Sequence, residues 1–458
     1  MWLEILGGII ALIIFYYLYF KANSNYWTKR GVYQIDPTFL LGSMPEIFTV
    51  SKAINEVSLE HAKRAKDLPY YGEYLFGTPV LAIKDADLIR QVTVKDFEFF
   101  VDRQGESVNK SFYGKTLTDK IWAKQMTSAS GEEWKSIRAT FTPIFTAGKM
   151  KAMMSFIQKT CGQLIHFMDK SMEKNEDLEL KTIFGKYSMD TIAICAFGVD
   201  SQSFTNDKSL FVKYAKALFS QDWVAGLKML IMQFPFGRKL FDIFGISYFK
   251  VAETEFFYNV ILESLKHRRD SKIRRNDMVD LMLDAIKGEL KNDEEHEMNQ
   301  FEKDSTLNHV AKKGDFDELV IVATALVLMV AGYDTVSSSL SYSCYELAKN
   351  PEIQDRLRAE IEETTNDSEE EITYGHVQSM TYLDQVISET LRLHNVAGLL
   401  TRSVEKDYKV PNSDLVLQKG HDVWINSVAV HKNPEHYETP DTFNPEHFTK
   451  EAKAKRHQ

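Results

Sequence analysis

Cysteine is scarce: Cys161, Cys195 and Cys344 are all that 458 residues contain. Odd in number and far apart, they form neither a disulfide framework nor a zinc-ligand spacing. A reducing compartment is the simpler setting. Positive charge is not concentrated either. The balance is acidic, net −10, and no basic block makes a nucleic-acid footprint. No internal repeat or low-complexity tract stands out. What is present is enough chain for one large domain or two to three average ones, with 29 Phe and 20 Tyr to fill a core.

The longest periodic stretch is 316–350, FDELVIVATALVLMVAGYDTVSSSLSYSCYELAKN, with no Pro and one Gly, Gly332. It reads as a helix of about 50 Å. The apolar run Leu319 to Val330 is too short to cross a bilayer, and Asp334 follows it, so a central buried helix is expected. Its middle, Ala331-Gly332-Tyr333-Asp334-Thr335, is a weak helix former. Thr335 can bond back to the carbonyl of Ala331 and open the turn. A small residue beside an acid and an alcohol leaves a groove for a diatomic ligand and water. Taken alone, the same residues also suit a satisfied Thr and a solvated Asp.

At the other extreme, Ile5 to Phe20 is uncharged and apolar. With Trp2 and Leu3 added it nearly matches a hydrocarbon core of about 30 Å, and its aromatic ends suit the interfaces. Lys21, Lys29 and Arg30 follow and only Glu4 precedes, which puts the remaining chain in the cytosol. A cleaved signal peptide is the rival. Against it, the start lacks Lys and Arg, and Ala22-Asn23-Ser24 is a poor cleavage site. Were the chain lumenal, Asn109 and Asn366 would be glycan acceptors.

Between these landmarks, 26–44 reads as a linker and 45–66 as a helix. A hairpin is expected over 70–84, turning near Gly77-Thr78-Pro79, then a helix over 85–94 and a loop over 99–120. Trp134 and Arg138 share a face of a helix stopped by Pro143. Together they can hold a carboxylate or phosphate, or pack on each other as an ordinary half-buried pair. Helix dominates 149–287. Within it, the apolar stretch 218–249 suits either helices dipping into a membrane surface or plain core. The stretch 288–313 is charged and reads as an unstructured connection. Asn350-Pro351 reads as a cap and first turn, and Thr381-x-x-Asp384 as a capping box for a helix over 382–394. Strands are expected at 399–403, 415–417 and 422–426. In the capped helix, Glu389 and Arg392 lie among Leu391, Leu393 and Val386, which suggests a buried pair needing further partners.

Four pieces now align. Trp134-x-x-x-Arg138, Ala331-Gly332-x-Asp334-Thr335, Glu389-x-x-Arg392, and Ala429-Val430-His431 through Phe443-x-Pro445-Glu446-x-Phe448 occur in the order found in cytochrome P450 monooxygenases. The resemblance covers nearly the whole chain and is greatest to insect microsomal members. It implies a mainly α fold with small β-sheets: a transmembrane anchor over 1–20, a linker over 21–45 and a catalytic domain over 46–458. It implies haem, with Trp134, Arg138 and Arg402 on its propionates and Ala331 beside it. Asp334 and Thr335 would deliver protons during oxygen activation, and Glu389 with Arg392 would lock the core. The 101–128 loop, the central helix and Val396 to Leu400 would meet a lipophilic substrate. Electrons would come from NADPH through cytochrome P450 reductase, with cytochrome b5 as a further partner, at the cytosolic face of the endoplasmic reticulum membrane. Lys120, Lys124, Lys135 and Lys149 offer that reductase a basic face, or are scattered surface lysines.

Two departures from the family pattern stand out. His447 occupies the position of an Arg that normally joins the Glu389–Arg392 pair. A neutral imidazole makes one bond per nitrogen, so a weaker or pH-sensitive network is expected. The second is that Gln458 precedes the family's Cys-containing loop, whose thiolate ligates iron. The chain therefore reads as a fragment with no metal ligand of its own, expected to be inactive as given. Two other functions stay open: a P450-fold enzyme rearranging peroxides without a reductase, and a non-catalytic membrane-anchored binding protein. Such peroxide-rearranging relatives tend to lose the acid–alcohol pair, and Asp334-Thr335 retains it.

Overall fold

The computed structural model describes residues 14–105, 113–174, 177–206, 209–220, 223–232, 234, 236–271, 274–275, 277–287, 318–365 and 372–456. Most of the expected anchor, both Asn-x-Ser/Thr positions and the 288–313 connection lie outside them. The chain forms two compact units. The first comprises Met1–Phe112, Trp223–Phe241 and Ala397–Thr442, the second Tyr113–Asp222, Asp242–Val396 and Phe443–Gln458.

Every described strand belongs to the first unit. The expected hairpin forms from β1 (Tyr70–Leu75) and β2 (Thr78–Ile83), antiparallel. Late in the chain come β3 (Leu399–Ser403), β4 (Tyr408–Lys409), β5 (Val416–Leu417) and β6 (Asp422–Asn426). The main sheet has the order β1-β2-β6-β3, with β2 and β6 parallel and β3 antiparallel to β6, while β4 and β5 pair separately. Val80, Leu81, Ala82, Ile83, Val423 and Ile425 are buried, so both faces of this sheet are covered. The 26–44 stretch is no free linker: Trp27 is completely buried and its indole N–H donates to the Glu73 carbonyl at 3.1 Å.

The 45–66 helix is also two helices, Pro45–Phe48 and Ile54–Arg64. Thr49 and Ser51 hydroxyls take the freed carbonyls of Pro45 and Glu46, and Val50 adopts φ +53. The Glu56 carboxylate then accepts the Ala53 amide and restarts the helix. Local side chains competing with the backbone broke the run.

The second unit is helical. Its core gathers Ile137, Phe141, Phe197, Phe257, Ile261, Leu265 and Met282 around Val320 to Met329 of the long helix Glu318–Lys349. Among the described residues this is the one helix long and apolar enough to cross a membrane, and its first half is core. Helix Leu180–Ile192 packs on it at close range. A Cβ on Gly332 would meet Ile192 Cδ1 at 3.0 Å, and one on Gly185 would meet the Tyr333 hydroxyl at 3.3 Å.

Of the two expected caps, Asn350-Pro351 stands where expected, with Pro351 opening helix Pro351–Thr365 and the Asn350 carbonyl accepting the Ile353 and Gln354 amides at 3.1 Å, and the other is replaced. Asn350 donates its side chain back to the Glu346 carbonyl at 2.8 Å, closing the long helix. Helix Thr381–Leu393 has no capping box; the Glu360 carboxylate accepts the Tyr382 and Leu383 amides at 2.7 and 2.9 Å. A carboxylate from the neighbouring helix Pro351–Thr365 does the work assigned to Thr381.

Candidate functional site

The acid–alcohol turn lies in an unbroken stretch of the long helix. Thr335 Oγ1 donates to the Ala331 carbonyl at 2.5 Å, the expected back-bond. Ala331, Asp334 and Thr335 are exposed. Sequence reasoning missed the partner of Asp334. Lys181, reaching across from helix Leu180–Ile192, places its ammonium 2.7 Å from Asp334 Oδ1, 2.6 Å from Ser338 Oγ and 3.0 Å from Ser337 Oγ. No local signal announces a contact between residues so far apart in sequence. The Asp334 charge, second to burial, raises the Tyr333 pKa.

On helix Gly131–Phe141, Trp134 packs half-buried against the core while Arg138 turns its guanidinium to Met126 Sδ at 3.8 Å. The lysines proposed for docking are partly neutralised: Lys124 pairs with Glu133, and Lys135 with Glu132 at 2.7 Å.

The structure brings Glu389, Arg392 and His447 together. Arg392 grips the Glu389 carboxylate with Nε and Nη2, each at 2.7 Å. Oε1 also accepts the Asn444 amide at 2.8 Å and faces His447 Nδ1 at 3.1 Å. A carboxylate only accepts, so the imidazole proton on that side sits on Nδ1. Glu389, Arg392 and His447 are all buried. The further partners that burial demands are thus present.

Arg402, in the first unit, is the reverse case. Its Nη1 donates to the Thr401 carbonyl at 2.8 Å, but Nε is buried without a hydrogen-bond partner. No carboxylate pairs with it among the described residues. Burial, then the charge of Arg103, lowers its pKa. Arg103 is the second residue that sequence reasoning missed, although it lies in the loop singled out for substrate. A half-buried fork with a buried, idle Nε–H fits an anionic group such as a haem propionate.

Burial pushes the Cys195 thiol up to about 11 and raises that of Cys344. Burial thus disfavours the thiolate form that a metal ligand takes. Among the described residues no cluster of His, Cys, Asp or Glu is arranged for a metal ion.

Comparison with known proteins brings in a family. The cytochrome P450 family model matches residues 35–458. Cytochrome P450 6B7 of Helicoverpa armigera is 32% identical over 458 residues, 100% of this chain and 86% of its own length. Cytochrome P450 9e2 of Blattella germanica is 30% identical over 97% of this chain and 84% of its own length. Cytochrome P450 6a8 of Drosophila melanogaster is 30% identical over 98% of this chain and 84% of its own length.

Proposed function

The chain belongs to the cytochrome P450 family, and from that premise we propose that it inserts one oxygen atom of O2 into a lipophilic substrate with NADPH-derived electrons. Membership makes it a haem-dependent oxidoreductase of insect type. The finer reading includes delivery of electrons by a reductase at the endoplasmic reticulum membrane and a role in xenobiotic or hormone metabolism. The observation that carries the haem reading is Arg402, a half-buried cation whose buried Nε has no hydrogen-bond partner among the described residues and suits a propionate. Trp134 and Arg138 are the other propionate partners we propose, from the motif they form.

When bound, haem supplies the oxygen and electron chemistry that no side chain here provides. The protein moves the protons. Asp334 is open to solvent and held by an exposed ammonium, a pairing worth about 0–1 kcal/mol. Exchanging Lys181 for water is therefore cheap, and the freed carboxylate can take a proton from solvent and release it to a water that donates to Thr335 Oγ1. That oxygen keeps a lone pair while its hydrogen is given to the Ala331 carbonyl. Retention of the acid and alcohol favours monooxygenation over reductase-independent peroxide rearrangement.

The test is a reduced carbon monoxide difference spectrum of the complete product of the transcript, with turnover measured with and without NADPH and reductase. A haem-thiolate band and NADPH-dependent oxidation are expected. Failure to take up haemin would overturn the reading, and turnover of peroxides alone would favour the isomerase.

A further inference from the structure

Two neighbouring titratable residues of the first unit, His421 and Asp422, have no role in the chemistry described so far. Asp422 opens β6, is buried, and accepts the Gly105 amide at 3.3 Å. Burial pushes its pKa up to about 6, which that bond opposes only in part. His421 ends the turn between β5 and β6, half-buried, and both of its ring nitrogens are engaged.

One of those engagements fixes the protonation of the ring. The Gln418 amide donates to Nδ1 at 2.8 Å. A backbone N–H only donates, so Nδ1 offers its lone pair and the ring hydrogen sits on Nε2. Nε2 then donates to the Tyr26 hydroxyl, 2.7 Å away. Burial raises the Tyr26 pKa, so that phenol stays neutral and accepts. A second ring proton on Nδ1 would point at the Gln418 N–H, and the 2.8 Å bond cannot survive two facing hydrogens. Around the ring stand Tyr26 and Arg30 from the N-terminal segment, Asp407 from the approach to β4, and its chain neighbours Lys419 and Asp422. Burial first, then the charge of Arg30, lowers the His421 pKa. The Gln418 backbone, an acceptor for a protonated ring, and the charge of Asp407 oppose them only in part.

We propose that His421 is a pH-operated clasp: neutral, it ties Tyr26 to the 418–421 turn, and protonated it lets that turn open. Tyr26 comes just after the helix that ends at residue 23, so the clasp joins the chain past the expected anchor to the approach to β6. It holds above about pH 6.5 and fails as pH falls through the lowered value of the folded ring. The opening is local. The Trp27 bond to the Glu73 carbonyl and the Gly420 amide's bond to the Val404 carbonyl involve no titrating group and stay.

The experiment measures hydrogen exchange of the Gln418 amide in the full polypeptide at about pH 7.5 and about pH 4.5, corrected for the pH dependence of exchange itself. Wild type should lose about tenfold of its protection in acid, one neutral hydrogen bond's worth. His421→Asn, whose side-chain oxygen can take the same amide but does not titrate, should hold its protection within about twofold. His421→Phe should be unprotected at both pH values, and Tyr26→Phe should lose protection in neutral solution as well. Asp422 is present throughout, so its own titration cannot produce the difference. Should His421→Phe not fold, wild type and His421→Asn decide. Equal protection of wild type at the two pH values overturns the proposal, as does an equal acid loss in wild type and His421→Asn. A Tyr26→Phe chain indistinguishable from wild type breaks the tie to Tyr26, and the clasp falls with it.

Discussion

Two arginines of this protein, Arg392 fully buried and Arg402 half-buried, live under opposite conditions. Arg392, in the second unit, is gripped by Glu389, which also takes an amide from Asn444 and faces His447. Arg402, in the first, has a buried Nε that nothing bonds among the described residues, and the charge of Arg103 acts on it. The first set is complete within the chain and serves the fold. The second lacks an anion, and a fold gains nothing by desolvating a cation it does not pair. An unmet charge points outward, to a ligand.

The contrast can be broken most violently at Glu389. Glu389→Ala strands Arg392 in the interior and is expected to cost about 3–5 kcal/mol in chemical denaturation. A loss under about 1 kcal/mol would show the cluster to be ornamental.

Asp422 comes next. Its raised pKa means that the fold holds the proton more tightly than the unfolded chain, so its penalty is absent below about pH 4 and grows as pH rises to about 6. Asp422→Asn should therefore match wild type near pH 4. At pH 7 it should exceed wild type by up to about 3 kcal/mol, two pKa units at 1.36 each. Denaturation curves at the two pH values decide; a difference independent of pH contradicts it.

His447→Ala removes one donor of several on Glu389 and is expected to cost about 1–2 kcal/mol, well short of Glu389→Ala. Equal costs would make His447, not Arg392, the keystone. Smallest of all, Lys181→Met should change stability by no more than about 1 kcal/mol, because the pair with Asp334 is exposed. Its effect should appear in the partition of oxygen between product and peroxide, and an unaltered partition would remove Lys181 from the proton path.

The same contrast separates what the sequence discloses from what it hides. Glu389 and Arg392 sit three apart among leucines, and their burial is legible. So are the long helix, the Thr335 back-bond and the hairpin, all products of neighbours within four residues or of simple alternation. Lys181 on Asp334, Glu360 on the Tyr382 amide and Asp422 on Gly105 join distant positions. Nothing local marks them. The break at Thr49 to Ala53 is an intermediate case, where Thr, Val and Ser gave a warning that helical periodicity on either side concealed.

The decisive measurement is a haemin titration of Arg402→Met beside wild type, with denaturation of the haem-free chains alongside. Affinity is expected to fall about ten- to hundredfold, since one or two charge-assisted hydrogen bonds are lost, while the haem-free variant is at least as stable as wild type. Unchanged affinity, or a loss of stability as large as that of Glu389→Ala, would show that Arg402 serves the fold like Arg392 and waits for no ligand.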